Sequence, residues 1–310
     1  MDNLLILLGA LAIDLALGEP PNPIHPVVWI GKVAAFLEKH AIGHSPQAQF
    51  LYGTGLTLFI MGLFAVPAYF LLFYVKSLNF IVYLIVGAVL LKCTFSVKAL
   101  RQAALKVKTL LSAGEVTKAR FELRALVKRD TQDLPPPSLV SATVESVAEN
   151  TCDSLVAPLF YFLIFGVPGA VGYRVVNTLD AMIGYHGKYE HLGKFTARLD
   201  DVLNFIPARL TALVLVLASF LTRKNARAAW QTALTEHDKT ESPNAGWPMA
   251  AAAGALNVQL EKAGHYKLGK ETVALEPGTI DAALKLMLAA TFAWVFLCLI
   301  VGGIRLALTT

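Results

Sequence analysis

The sequence predicts an all-α, polytopic integral membrane protein, and three observations carry that expectation. Mean hydropathy is +0.56 and only 16% of the residues are charged, against about 25% in ordinary soluble domains. Several runs free of Asp, Glu, Lys and Arg approach or exceed the ~20 residues that cross a hydrocarbon core as a helix. One of these runs is interrupted by Gly and Pro, the mark of a broken or re-entrant helix that lines a site inside a membrane protein.

The charge-free runs are Phe50 to Val75, Leu78 to Leu91, Leu155 to Tyr173, Thr211 to Thr222 and Leu286 to Ile304. The first and last are long enough to span outright. Leu155 to Tyr173 is also long enough, but Gly166, Pro168 and Gly169 divide it. The runs from Leu78 and Thr211 need flanking residues to span. An earlier apolar run, Leu4 to Leu17, has no basic leader, carries Asp14, and passes into Gly18-Glu19-Pro20-Pro21 without a small-residue cleavage site. It is therefore expected to be a retained membrane segment rather than a signal peptide.

With neither an internal repeat nor a low-complexity linker, residues 1–310 are expected to form a single membrane-embedded domain. Within it, residues 98–137 form a basic segment that the positive-inside rule places in the cytoplasm. Val97, Leu100, Ala104, Val107 and Leu111 recur in steps of three and four, the apolar stripe of an amphipathic helix that Gly114 ends. A second stripe follows with Val116, Ala119, Leu123 and Leu126. Pro135-Pro136-Pro137 then stops the helix, and Ser138 is expected to cap the next.

The net charge of +5 suits anionic lipid or anionic substrates. No stretch interleaves basic and aromatic residues as a nucleic-acid groove does, so nucleic acid is not an expected partner. Cys93, Cys152 and Cys298 are scattered without a C-x-x-C pair, which argues against a disulfide framework or a zinc site. Gly264 to Lys270 imitates the spacing of a phosphate-binding loop, but Glu271 stands where Ser or Thr should bind Mg²⁺ and no apolar strand precedes it. A P-loop is rejected.

Ionisable groups beside membrane segments are costly and are functional candidates by default. Four clusters qualify. Glu19 and His25 sit in a Pro- and Gly-rich loop that can present both from a rigid path. Glu145, Glu149 and Asp153 recur at i, i+4 and i+8, within an arc of about 80° on a regular helix, a crowding of acids that calls for a cation such as Mg²⁺. Arg174, Asn177 and Asp180 share a helical face, offering a phosphate donor, an amide and a metal ligand. Arg198, Asp201, Asn204 and Arg209 lie along a helix entering the membrane. Asn244 and Trp247 stand in a rigid turn, Pro243 to Met249, that can expose an amide and a large ring.

Taken in order, Asp14 with Gly18-Glu19-Pro20-Pro21 and His25 to Gly31, then Glu145 to Tyr161, Arg174 to Tyr185, Arg198 to Ala212 and Ser242 to Leu256, this pattern resembles the adenosylcobinamide-phosphate synthase family of the cobalamin pathway. The match runs from about Ile13 to Gly269. The resemblance implies a membrane-bound ligase that uses ATP to join a propionate carboxylate of adenosylcobyric acid to 1-amino-2-propanol phosphate, or to the unphosphorylated amine. The corrinoid is then a substrate, and Mg²⁺ accompanies ATP. Other enzymes of the pathway are further candidate partners, beside the lipid bilayer itself.

Carboxylate activation and amine attack require crowded negative charge to be neutralised and three substrates to be positioned. On residue chemistry, Glu145, Glu149, Asp153 and Asp180 are expected to hold Mg²⁺ with the nucleotide. Arg174, Asn177, Arg198, Arg209 and Asn244 are expected to meet phosphate or carboxylate oxygens, and Trp247 to pack on the corrin or adenine. Glu19 or His25 is expected to take the proton of the attacking ammonium. The expected place is a multi-pass position in the cell membrane with the active site on the cytoplasmic side. Two other classes fit spaced acids on membrane helices: an Mg-dependent phospho- or prenyltransferase, and a cation or substrate transporter. Clustering of the polar residues at segment ends favours an interfacial catalytic site. If both Leu155 to Tyr173 and the run ending at Thr222 crossed fully, the loop from Arg174 to Asp201 would face away from Glu145 and Asn244, so a re-entrant Gly-Pro segment or motif helices dipping into the membrane are expected.

Overall fold

The computed structural model describes residues 2–40, 45–185 and 187–309. In chain order these form α1 (Asp2–Ala16), α2 (Pro26–Glu38), α3 (Pro46–Leu78), α4 (Phe80–Lys92), α5 (Lys98–Ser112), α6 (Val116–Leu123), α7 (Pro136–Thr151), α8 (Ala157–Ile183), α9 (Lys194–Leu221), α10 (Ala226–Glu236), α11 (Gly246–Leu256), β1 (Leu260–Lys262), β2 (Tyr266–Leu268) and α12 (Pro277–Thr309). Four helical runs are long and apolar enough to cross a membrane: Pro46–Leu78, Pro136–Ile183, Lys194–Leu221 and Pro277–Leu308. The protein is an all-α membrane protein. Large apolar side chains left bare on these helices, such as Phe73 at 68% and Phe292 at 71% exposure, find their apolar partner in lipid rather than in a protein core.

Each boundary has a local cause. Ser45 accepts from the Ala48 amide and Pro46 opens α3 with a ring that needs no donor. At the far end Asn79 adopts an extended backbone, φ −156° and ψ 120°, and its side chain accepts from the Ile81 and Val82 amides at 2.9 and 3.1 Å. That single residue stops one helix and starts the next. Helix α4, at 13 residues, rises only about 20 Å and is too short to span alone. The run Thr211 to Thr222 does gain its missing length from upstream, becoming the 28-residue α9.

The expected break in the third run is present: Gly166 has φ 68° and ψ −163° inside α8, two residues before Pro168. A second irregularity leaves no mark in the Gly and Pro pattern of the sequence. Between α7 and α8 the turn Cys152–Val156 is π-helical, and such turns accumulate at functional positions. The cap predicted at Ser138 is replaced by Pro135, with prolines at the first helical positions and no side-chain cap, because a missing N–H costs nothing there.

The chain divides into two compact units. One comprises Met1–Ser96, Ala157–Asn204 and Cys298–Thr310; the other, Val97–Val156 and Phe205–Leu297. In the first, α1 packs on α4 through small residues: a Cβ on Gly87 would lie 2.8 Å from the Ile6 side chain, and one on Gly9 3.0 Å from Ala88. Close approach of this kind is how membrane helices gain contact without a hydrophobic driving force. A core of Ile30, Ala34, Leu56, Ile60, Val175 and Leu179 joins α2, α3 and α8.

In the second unit, the two apolar stripes read from the basic segment pack together, with Val107, Ala119 and Leu123 fully buried against Leu139 and Ala142 of α7. Gly114, with φ 74°, turns the chain between them. Helix α11 is buried on all sides and approaches α10 so closely that a Cβ on Gly254 would fall 2.4 Å from the Ala228 carbonyl. The rejected P-loop forms the tip and second strand of an antiparallel hairpin, which pairs Leu260 with Leu268 and Lys262 with Tyr266 around Gly264 at φ 77°. It is the one departure from all-α structure among the described residues.

Candidate active site

The first unit holds a buried ionic cluster built from three separate stretches. Pro26 opens α2 and fixes the loop before it; His25 caps that helix, its Nδ1 accepting from the Val27 amide at 3.1 Å. An amide can only donate, so Nδ1 is the unprotonated nitrogen and Nε2–H points at Glu19 Oε2, 2.8 Å away. The other Glu19 oxygen accepts from Lys92 at 3.0 Å. The same ammonium lies 3.2 Å from Asp14 Oδ1 and donates to the Phe95 carbonyl. Lys92 and Asp14 are 2% and 1% exposed, so each charge is stabilised by its neighbours rather than by water.

These contacts set the chemistry of Glu19. Burial alone would raise its pKa, but the His25 hydrogen bond, then the Ser96 hydroxyl and the Lys92 charge, together outweigh burial and bring the carboxyl down to about 2. A carboxylate so stabilised is a poor proton acceptor near neutrality. The lone pair of His25 is already engaged by Val27. Both features count against the proton-acceptor role expected of this pair, and favour holding a cation.

A cavity of about 390 Å³ adjoins the cluster in sequence: Pro26, Val27, Thr94, Cys93 and Arg174 are among its walls, with Phe64 and Leu63 from α3. Arg174 also reaches Asn177 Oδ1 at 3.4 Å, a weak contact that nonetheless joins two of the residues predicted to share a face. Asp180, one turn on, lies close enough to Asp200 for their charges to act on each other, and Asn204 donates to Asp200 at 2.9 Å. Arg198 is exposed on α9.

In the second unit, Glu145 is buried and fully engaged. Ser141 donates to it at 2.6 Å, Tyr266 at 2.8 Å and Arg129 at 3.3 Å. Burial first, and then the Glu145 charge, push the Tyr266 phenol well above its ordinary range, so it remains a donor. Glu145 is thus the acceptor that ties α7 to the hairpin and to the basic segment, a structural role that does not fit the expected metal ligand. Glu149 and Asp153 are half-buried. Asp153 falls in the π turn, so the 3.6-residue period that placed all three acids on one arc stops short of it.

Arg209, Asn244 and Trp247, drawn from two motifs, do meet. Arg209 donates to Asn244 Oδ1 at 3.3 Å and its guanidinium lies 5.0 Å from the Trp247 ring centroid. The His237 ring stacks on Trp247 at 3.9 Å, so one partner expected to be a substrate ring is supplied by the protein.

The predicted residues are therefore shared between the units: Glu19, His25, Arg174, Asn177, Asp180 and Arg198 in the first, Glu145, Glu149, Asp153, Arg209, Asn244 and Trp247 in the second. Among the described residues no group of three or more His, Cys, Asp or Glu side chains is set to hold a metal ion. The reading from sequence missed Lys92, Asp200, Tyr266, Arg129 and His237. Lys92 left a signal, a lone cation closing an apolar run, and Asp200 stands beside Asp201 in the Arg198 to Ala212 motif; Tyr266, Arg129 and His237 left none.

A family model described as "CobD/Cbib protein" matches residues 7–287. The chain is 55% identical over 297 residues to "Cobalamin biosynthesis protein CobD" of Dehalococcoides mccartyi, covering 96% of each chain. It is 41% identical to "Probable cobalamin biosynthesis protein CobD" of Methanothermobacter thermautotrophicus, over 92% of this chain and 93% of that one. A protein of the same description from Pyrococcus furiosus is 42% identical, with 83% and 85% covered. No solved structure matches the chain significantly.

Proposed function

The chain belongs to the CobD/Cbib protein family of cobalamin biosynthesis, and from that premise we propose that it is an ATP-dependent amide ligase joining adenosylcobyric acid to 1-amino-2-propanol phosphate. The observation that carries this reading is the Lys92-held Glu19–His25 pair, next in sequence to the cavity walls that include Arg174. A fixed carboxylate and a guanidinium on one compact unit are what an aminoalkyl phosphate, cationic at one end and anionic at the other, needs for orientation.

The reaction proceeds in two steps. The propionate carboxylate attacks the terminal phosphate of ATP, giving an acyl phosphate and ADP; the amine then attacks the acyl carbon and phosphate leaves. We assign to Glu19 the ammonium of the waiting amine, to His25 the orientation of Glu19, and to Arg174 the amine's phosphate. With Glu19 so weak a base, the departing inorganic phosphate, a stronger base than a carboxylate held well below its ordinary range, is the better proton acceptor.

Glu145 is withdrawn from the metal set. Mg²⁺ takes one or two protein carboxylates and completes its shell with water and nucleotide phosphates, so a site need not contain a cage of three acids. Glu149 and Asp153 are the residues we assign to it, and the ion's contribution when bound is to neutralise phosphate charge. Arg209 and Asn244 are assigned to phosphate oxygens. Asp180 and Asn177, on the helical face of Arg174, are assigned to the substrate side rather than the nucleotide. The basic segment supports a multi-pass arrangement with this chemistry on the cytoplasmic side.

Purified protein in detergent, given adenosylcobyric acid, aminopropanol phosphate and Mg-ATP, tests the reading. ADP and amide should appear in equal amounts. Amide formed without ADP, or no amide at all, overturns it.

A further inference from the structure

The second unit contains a larger cavity, about 720 Å³, among whose walls are Arg223, Lys224, Asn225, Asn257, Glu276 and Thr279. None of these residues belongs to the clusters described above. The volume lies in the range of small-molecule sites.

Its walls are tied together by their own polar groups. Asn225 Nδ2 donates to Asn257 Oδ1 at 3.0 Å, and the Asn257 carbonyl accepts from the Val273 amide at 2.9 Å and the Thr272 amide at 3.3 Å. Thr279 Oγ1 accepts from the Glu276 amide at 3.2 Å. Helix α9 ends and α12 begins around this cavity, and both are long and apolar enough to cross a membrane, so the cavity lies where two membrane-capable helices terminate.

The choice of residue at the end of α9 is informative. Arg223 has φ 58°, and Arg223 and Asn257 are the non-glycine residues with positive φ among those described. The position after a helix terminus with this backbone is ordinarily Gly, with Asn the usual substitute. Asn257 follows that rule; Arg223 does not, and it is followed directly by Lys224. Two adjacent cations in a cavity wall, one held in a backbone conformation its side chain disfavours, point to a use for the side chain itself. The single acid in the wall, Glu276, leaves the lining net positive and offers an acceptor for a ligand hydroxyl.

We propose that this cavity is a binding site for a phosphoester anion bearing hydroxyl groups, held by Arg223 and Lys224. A glycerophospholipid headgroup and a soluble nucleotide share that chemistry. The proposal does not rest on the ligase reading, since a site for either ligand stands whether or not the amide is formed.

The test uses the full-length protein in nanodiscs of phosphatidylcholine, with three additions measured separately by thermal shift: phosphatidylglycerol in the disc, Mg-ATP in solution, and inorganic phosphate. The wild type should be stabilised by phosphatidylglycerol if the source is lipid, or by Mg-ATP if it is soluble, and since Mg-ATP also has the ligase site to occupy, it is the part of that stabilisation lost in the variants that belongs to this cavity. Arg223→Gly is chosen because it relieves the backbone: it should keep or raise the melting temperature in neutral discs while weakening the ligand by about tenfold, the loss of one charged hydrogen bond. Lys224→Gln should weaken it similarly. No stabilisation of the wild type by any addition, or full stabilisation of both variants, overturns the proposal.

Discussion

Lys92, the last residue of α4, donates to Glu19, in the loop after α1, across 3.0 Å and 73 positions of sequence. The ammonium is 2% exposed and also faces Asp14, so it compensates two carboxylates at once. Removing one partner of a buried ion cluster leaves uncompensated charge, at a cost of about 3–5 kcal/mol. Lys92→Met should therefore lower the melting temperature sharply in detergent, and Lys92→Arg much less. An unchanged Lys92→Met protein would show that the cluster contributes nothing to stability.

The depressed pKa of Glu19 has a pH consequence. Its value falls from an ordinary 4.5 to about 2 in the folded protein. The stabilisation is complete above 4.5 and is lost as pH falls through 2, because the unfolded state binds the proton first. Unfolding curves of the wild type should steepen with acidification across that window, and those of Glu19→Gln should be flatter there. Parallel curves would contradict the assignment.

Tyr266 donates to buried Glu145 at 2.8 Å. Tyr266→Phe removes one hydrogen bond to a charged group and nothing else in volume, which predicts a loss of roughly 1.5–3 kcal/mol. Chemical denaturation would measure it. A loss no larger than a surface substitution gives would mean that Ser141 and Arg129 already satisfy the carboxylate.

Two glycines of α3 make a paired prediction. A Cβ on Gly53 would lie 1.9 Å from the Leu192 carbonyl oxygen, whereas one on Gly55 meets nothing within 4 Å. Gly53→Ala should destabilise by about 1–3 kcal/mol through forced displacement, and Gly55→Ala should be neutral or stabilising by up to ~1 kcal/mol. Equal melting temperatures for the two would refute the close approach of α3 to the segment before α9.

Arg174 and Arg198 separate by position. Arg174 lines the 390 Å³ cavity and Arg198 is exposed. In the ligase assay, Arg174→Met should raise KM for the phosphorylated amine roughly 10-fold or more, with little change for the unphosphorylated amine. Arg198→Met should leave both near wild type; the reverse pattern would exchange their roles.

Much of the candidate site was legible because it is local. His25 and Glu19 share one loop, Arg174 and Asn177 share one turn of helix, and Gly166 declares its break through its own backbone freedom. Misreadings arose where the period changed or the partner was remote. The π turn at Cys152 moved Asp153 off the arc predicted for it. Glu145 looked like a ligand because Tyr266, 121 positions away, and Arg129 gave no sign in the sequence that they would occupy it.

By itself, the sequence determined the class of molecule, the apolar runs, the amphipathic basic segment and the family, since each depends on composition, on period or on motifs read along the chain. Tertiary structure alone decided which charges are held by which. Whether Lys92 ends a helix in water or sits at 2% exposure between two acids depends on how α1 and α4 cross at Gly9 and Gly87. In a medium where an unpaired charge is costly, that crossing decides whether a lysine is a surface residue or the centre of a site.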